Sequence, residues 1–154
     1  MLVEGYDEIS LALGAGHRPR TLLIAPELTP RQMKDIGTET ITVSPAVFEK
    51  ISYRENPDGW LAVFPIPRLS LEDLKLGESP LIIVAESIEK PGNLGAILRT
   101  ADAARVDAVL VCDPRVDAHS PNVVRASRGT LFTVPMVETK STQALVYTQR
   151  RGIH

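Results

Sequence analysis

The chain has 154 residues, of which 44% are hydrophobic, 23% charged and 5% aromatic, and its formal net charge is −2. That length buries a real core as one large domain or two small ones, and globular-average fractions exclude disordered and fibrous classes. No apolar run reaches the ~18 residues of a membrane helix, the acidic start MLVEGYDEIS is unlike a signal peptide, and a lone Cys112 allows neither an internal disulfide nor a multi-cysteine zinc site. A soluble, cytoplasmic protein is expected. The charge is uneven: residues 1–79 hold 8 Lys+Arg against 12 Asp+Glu, residues 80–154 hold 9 against 7. Contact with nucleic acid would therefore have to be local rather than driven by the whole chain.

In chain order, Val3 to Leu13 reads as a loosely amphipathic helix ending at Gly14 and Gly16, followed by a basic patch of His17, Arg18 and Arg20. TLLIAP is a short buried strand, and Thr29-Pro30 opens a short helix because proline suits the first helical position. ITVS (41–44) is a β-branched strand, Pro45 starts a helix through Phe48, Asn56-Pro57-Asp58-Gly59 is a turn, and WLAVFPIP (60–67) closes the unit. Helices and strands alternate, which predicts a small layered α/β domain over residues 1–67. Residues 68–79 are polar and interrupted and read as a linker.

From residue 80 the hydrophobic signal changes. LIIVAE (81–86) is a continuous apolar run, as for a parallel strand buried on both faces. KPGN breaks it, LGAILRTADAARV is a helix, and DAVLVC (107–112) is a second buried strand, together a strand–helix–strand unit. PNVVRAS is a proline-started helix ended by Gly129, LFTVPMV (131–137) a third strand, and STQALVYTQRRG a helix capped by Gly152. A parallel sheet that stops at three strands leaves an edge uncovered, so a further segment is expected after His154.

Two stretches could carry chemistry. In the first, a strand ends at Glu86, a proline–glycine turn follows, and Asn93 stands at a helix start with Arg99 beyond it. Ligands of α/β sheets bind at the carboxyl ends of strands, and these three polar residues are expected to gather there. Taken singly, Asn93 reads as an N-cap, Arg99 as a surface residue and Glu86 as a solvated acid. In the second stretch, Arg125, Ser127 and Arg128 are too polar for a helix packed on a sheet unless they line a cleft or a partner.

KPGNLGAILRTADA resembles the first motif of the SpoU branch of the SPOUT RNA methyltransferases, and VVRASRGTLFTVPMV resembles the second. VEGYDEISLAL and ENPDGWLAVF are similar to the opening helix and closing strand of the small RNA-binding domain that precedes the catalytic domain in many ribosomal-RNA members. The resemblance covers nearly the whole chain. It implies an α/β-knot domain, here incomplete, over residues 80–154 behind the RNA-binding domain. It also implies S-adenosylmethionine as methyl donor, a ribose 2′-hydroxyl of structured, ribosomal RNA as acceptor, and a homodimer. By motif position Asn93 and Arg99 match the family's active-site asparagine and arginine, and Glu86 its motif-one acid. The third motif, which builds most of the donor pocket, would follow residue 154, so this chain is expected to bind the donor weakly or not at all.

A ribose hydroxyl is a poor nucleophile and must be deprotonated or tightly oriented. Arginine does not normally deprotonate, so Arg99 reads better as a bidentate phosphate clamp than as a free base, although the family idea of a phosphate-assisted base stays open. RNA contacts in the first domain are expected from His17, Arg18 and Arg20, with Arg54 near the turn favoured as a plain solvated residue. Arg125, Ser127 and Arg128 are further RNA candidates. His17, His119 and His154 have no metal-ligand spacing. Two other readings stand beside the enzyme: a chain that binds RNA or dimerises without catalysis, and an unrelated nucleotide-binding α/β protein. The last lacks any G-x-G-x-x-G or P-loop lysine after a strand.

Overall fold

The structure is a computed structural model that describes residues 1–153; His154 lies outside them. The first half runs β1 (Leu2–Glu4), α1 (Tyr6–Gly14), β2 (Thr21–Ile24), a 3-10 turn (Pro26–Leu28), β3 (Glu39–Thr42), α2 (Pro45–Ile51) and β4 (Trp60–Val63). Its four strands lie in the order β1-β4-β2-β3, antiparallel at β4 and parallel between β2 and β3.

Two elements differ from the sequence expectation. The helix expected from Val3 starts at Tyr6, because Leu2–Glu4 pairs with β4 instead, Leu2 opposite Val63. Gly5, at φ 113°, makes the break, and Asp58 of the Asn56–Gly59 turn caps the helix from a distance by accepting the Tyr6 N–H at 2.8 Å. No helix forms at Thr29-Pro30. The Thr29 hydroxyl instead accepts the Trp60 Nε1–H at 3.1 Å, which ties residue 29 to β4.

The second half runs β5 (Ile82–Glu86), α3 (Pro91–Ala104), β6 (Ala108–Cys112), α4 (Pro121–Ser127), a 3-10 turn (Thr130–Phe132), β7 (Met136–Thr139) and α5 (Ser141–Arg150). The three strands form a parallel sheet in the order β5-β6-β7. Helices α3 and α4 cover one face through Leu94, Leu98, Val123 and Val124. α5 covers the other with Ala144, joined by Leu74 from the 68–79 segment.

The chain departs from expectation three times here. α3 begins at Pro91, inside the KPGN break, with Lys90 as N-cap, so Gly92 and Asn93 are helical. β7 begins only at Met136, because residues 130–132 wind into a turn whose Leu131 and Phe132 are buried. β5 is not buried on both faces: it is an edge strand with Val84 54% exposed, whereas every residue of the central β6 is buried. Among the described residues no helix is long and apolar enough to cross a membrane.

The two sheets share one core. Val3, Ile9 and Phe64 of the first half pack in the same cluster as Leu94, Val109 and Phe132 of the second. Phe132 is the wedge, its ring centroid 5.3 Å from that of Phe64 and 5.2 Å from that of His17. Gly129, at φ 83°, lets the chain turn against α1, where a Cβ would lie 3.2 Å from the Glu8 backbone.

Candidate functional site

α3 and α4 pack most tightly at Gly95. A Cβ there would stand 2.5 Å from the backbone carbonyl carbon of Ala126 and 2.8 Å from the Ser127 nitrogen, so only glycine admits this approach. Arg99 lies one turn further along the same helix face, and its guanidinium donates to the Ala126 carbonyl near the C-terminus of α4. That contact uses one of five N–H donors and leaves the exposed remainder of the fork for an anion. Arg125 and Arg128 are both exposed at the same helix end, Arg128 in the left-handed conformation (φ 52°) that stops α4. The result is a junction of three arginines.

Asn93 is exposed and is the third residue of α3 rather than its N-cap. Six residues of separation leave Asn93 and Arg99 about 120° apart around the helix, so the spacing alone does not align them. Glu86 is exposed and turned to the opposite face of the sheet, where its carboxylate accepts from the Ser141 hydroxyl at the start of α5. The expected gathering of Glu86, Asn93 and Arg99 is thus replaced by two sites, the arginine junction on the α3–α4 face and an acidic cluster under α5.

In that cluster one hydroxyl serves two carboxylates, since Ser141 Oγ also reaches Asp113 at 2.7 Å and the Ser141 N–H donates to Asp113 at 3.0 Å. These bonds, the backbone one foremost, hold the Asp113 carboxyl below the usual carboxylate range. Burial, with Asp113 and Glu86 adding to it, pushes the Cys112 thiol up, so this fully buried residue stays a neutral part of the core. Neither Asp113 nor Ser141 carried a sequence signal, because their proximity depends on how β6 and α5 pair.

Two of the RNA candidates are internal, and Arg54, read from the sequence as a solvated residue, is not solvated either. Arg54 donates to Glu8 at 2.7 Å and to the Glu4 carbonyl at 2.8 Å, with its side chain 21% exposed, so it braces the first sheet. Ser127 is fully buried and donates to the Val124 carbonyl at 2.9 Å. His17 is half-buried against Phe132 at the seam. Arg18 and Arg20 are exposed, and Arg18 donates to the carbonyls of His17 (3.0 Å) and Leu13 (3.2 Å), extending from the end of α1.

Comparison with known proteins gives this arrangement a context. Residues 80–153 match the SpoU rRNA Methylase family and residues 1–62 the MRM3-like substrate binding domain. The chain is 32% identical over 146 residues to the 23S rRNA (uridine(2479)-2′-O)-methyltransferase of Streptomyces viridochromogenes, covering 91% of this chain and 51% of that protein. It is 29% identical to the 23S rRNA (guanosine(2553)-2′-O)-methyltransferase RlmP of Bacillus subtilis, covering 88% of this chain and 53% of that one. The structure superimposes on the SpoU methyltransferase AviRb of Streptomyces viridochromogenes, solved in complex with AdoMet. The TM-score is 0.83 at 28% identity, over 99% of this chain and 59% of that one. A solved RNA 2′-O ribose methyltransferase matches with a TM-score of 0.81 at 36% identity, over 99% of this chain and 60% of that one. The chain thus spans about half the length of the relatives it matches. With both halves matched and the parallel sheet superimposed, the chain belongs to the SpoU family of RNA methylases, with an MRM3-like substrate-binding domain in front.

Proposed function

We propose that the whole protein transfers a methyl group from S-adenosylmethionine to a ribose 2′-hydroxyl of ribosomal RNA, and that this chain supplies the RNA side of the site. The observation that carries this reading is the arginine junction. Arg99, seated on the Ala126 carbonyl beside exposed Arg125 and Arg128, offers a forked donor set suited to phosphate, within the stretch that matches the family. In this role Arg99 grips the phosphate next to the target ribose and stabilises charge that develops on its oxygen, and Asn93, exposed in the first turn of α3, orients the sugar. Arg18 and Arg20 hold RNA further out by its backbone. Residues 1–67 act as the RNA-binding unit and residues 68–79 as the connection.

The donor supplies an electrophilic methyl. The residues present do not enclose it: the hollow beside Glu86, lined by Val84, Ser141, Ala144 and Leu145, holds about 230 Å³ and is open at Val84 and Leu145. Ligand pockets run from about 300 to 1,000 Å³. A larger hollow of about 510 Å³ lies on the other side of α5, against β7 and residues 70–72, away from the α3–α4 face. Calorimetry on this chain is expected to show no micromolar binding of S-adenosylmethionine.

The protein works as a cytoplasmic homodimer in this reading. Supporting the dimer, the free edge of the second sheet exposes Leu81 (55%) and Val84 (54%), next to Leu145 (57%) on α5. Sedimentation is expected to show a concentration-dependent mass. The reaction is tested on the whole protein by transfer of radiolabelled methyl to rRNA, read as alkali-resistant 2′-O-methylated dinucleotides. Arg99→Ala is expected to abolish transfer, and full activity in that variant would overturn the assignment.

A further inference from the structure

Along the seam between the two sheets runs a cleft in two joined parts, about 150 and about 350 Å³ in volume, with Pro67, Leu69, His119 and Met136 lining both. The larger part falls within the range of small-ligand sites. One wall is the segment after β4, where Ile66 (45%) and Leu69 (40%) hold apolar side chains open to solvent. The facing wall is Phe132 and Met136, where β7 begins. An imidazole stands at the cleft from each half: His17, tilted on Phe132, and His119, whose Nδ1 lies 3.1 Å from Glu138. That contact fixes the His119 ring. Arg68 is exposed at the rim, and Arg18 is anchored on the His17 carbonyl.

We propose that this seam cleft binds an unpaired RNA base, walled by Leu69, His17 and His119, with Arg68 and Arg18 on the adjoining phosphates; the proposal rests on the RNA reading above. Apolar walls, flat imidazole rings and cations at the rim complement a nucleotide, which has an apolar face and an anionic backbone. An acidic peptide would leave the apolar walls unfilled, and an apolar helix would bury Arg68 unpaired. The location also fits. Ala126, which seats Arg99, and Leu131, which lines the cleft, are five residues apart and so at most roughly 18 Å from one another. RNA held by the first half and presented to Arg99 has to cross the seam, and a base in the cleft would set which nucleotide arrives.

The test uses the 154-residue chain at pH 7.5 and two labelled strands of equal length, a single-stranded oligoribonucleotide and its abasic ribose-phosphate counterpart. His17→Ala is expected to weaken binding of the strand with bases about tenfold, the scale of one lost stacking platform, and to leave the abasic strand unchanged. Leu69→Ala, at an exposed position where folding is not at stake, is expected to give a smaller loss with the same selectivity. Equal losses on both strands, or none in either variant, would overturn the cleft while leaving the RNA reading intact. A parent chain that binds neither strand would overturn both. A variant that changes the sedimentation mass but not RNA affinity would assign the cleft to a second copy of the chain and overturn the proposal.

Discussion

The two halves use charged residues in opposite ways at Arg54 and at Arg99. In the first, Glu4, Glu8 and Arg54 turn inward: Glu8 pairs with Arg54, and Glu4 accepts the Tyr53 N–H at 2.8 Å and the Ser52 hydroxyl. In the second, Asn93, Arg99, Arg125 and Arg128 stand exposed on the α3–α4 face, and the one fixed contact among them is that of Arg99 with a helix-end carbonyl. Arginines that look alike in sequence are therefore a brace at Arg54 and a candidate binding surface at Arg99, Arg125 and Arg128. Burial decides which, because an enclosed guanidinium must find its partners inside the protein.

The sharpest way to break the comparison is to unpair the brace. Glu8→Ala leaves Arg54 enclosed without its carboxylate, and removing one partner of a buried pair costs about 3 kcal/mol, equal to roughly 6–12 °C in melting temperature for a chain of this size. Calorimetry that finds less than a 2 °C drop, or about 0.5 kcal/mol, would show that Arg54 is as free as the arginines of the second half.

Gly95→Ala is expected next. The added Cβ meets backbone rather than a mobile side chain, so α4 must shift, at about 1–3 kcal/mol in urea unfolding, and Arg99 loses its seat on Ala126. An unchanged unfolding midpoint would mean that α3 and α4 are not held by this contact.

How much of this was legible in the sequence follows the same divide. The strand character of β5 and β6, the proline-started helices α2 and α4 and the Asn56–Gly59 turn could be read because local patterning sets them, whereas β7 starts five residues later than its apolar run. β1 could not, because its strand state depends on β4 nearly sixty residues away. β5 could not be told from β6, since both are apolar runs and only sheet order makes one an edge. At the candidate site, Asn93 and Arg99 are singled out by the motif that their stretch resembles. The burial of Arg54 and Ser127, the seat on Ala126 and the pairing of Ser141 with Glu86 and Asp113 are not, because each is a tertiary contact.

A smaller effect separates the two sites of the second half by pH. The Asp113 carboxyl is held low when folded, chiefly by the Ser141 N–H, so the stability it contributes is present above the unfolded value of about 3.9. It is lost as pH falls through the lower folded value. Melting temperature against pH is expected to fall less steeply between about pH 4 and pH 2 in Asp113→Asn than in the parent, and an identical acid limb would contradict the Ser141 contact.

The central claim, that Arg99 faces RNA and the enclosed Arg54 does not, is tested most directly by the salt dependence of binding to a 23S rRNA transcript. Arg99→Ala is predicted to weaken binding and to lower the slope of log K against log salt by roughly 0.7–0.9, one phosphate contact, with the melting temperature nearly unchanged. Arg54→Ala is predicted to do the reverse, lowering the melting temperature and keeping the slope. A slope unchanged in Arg99→Ala but reduced in Arg54→Ala would contradict the account.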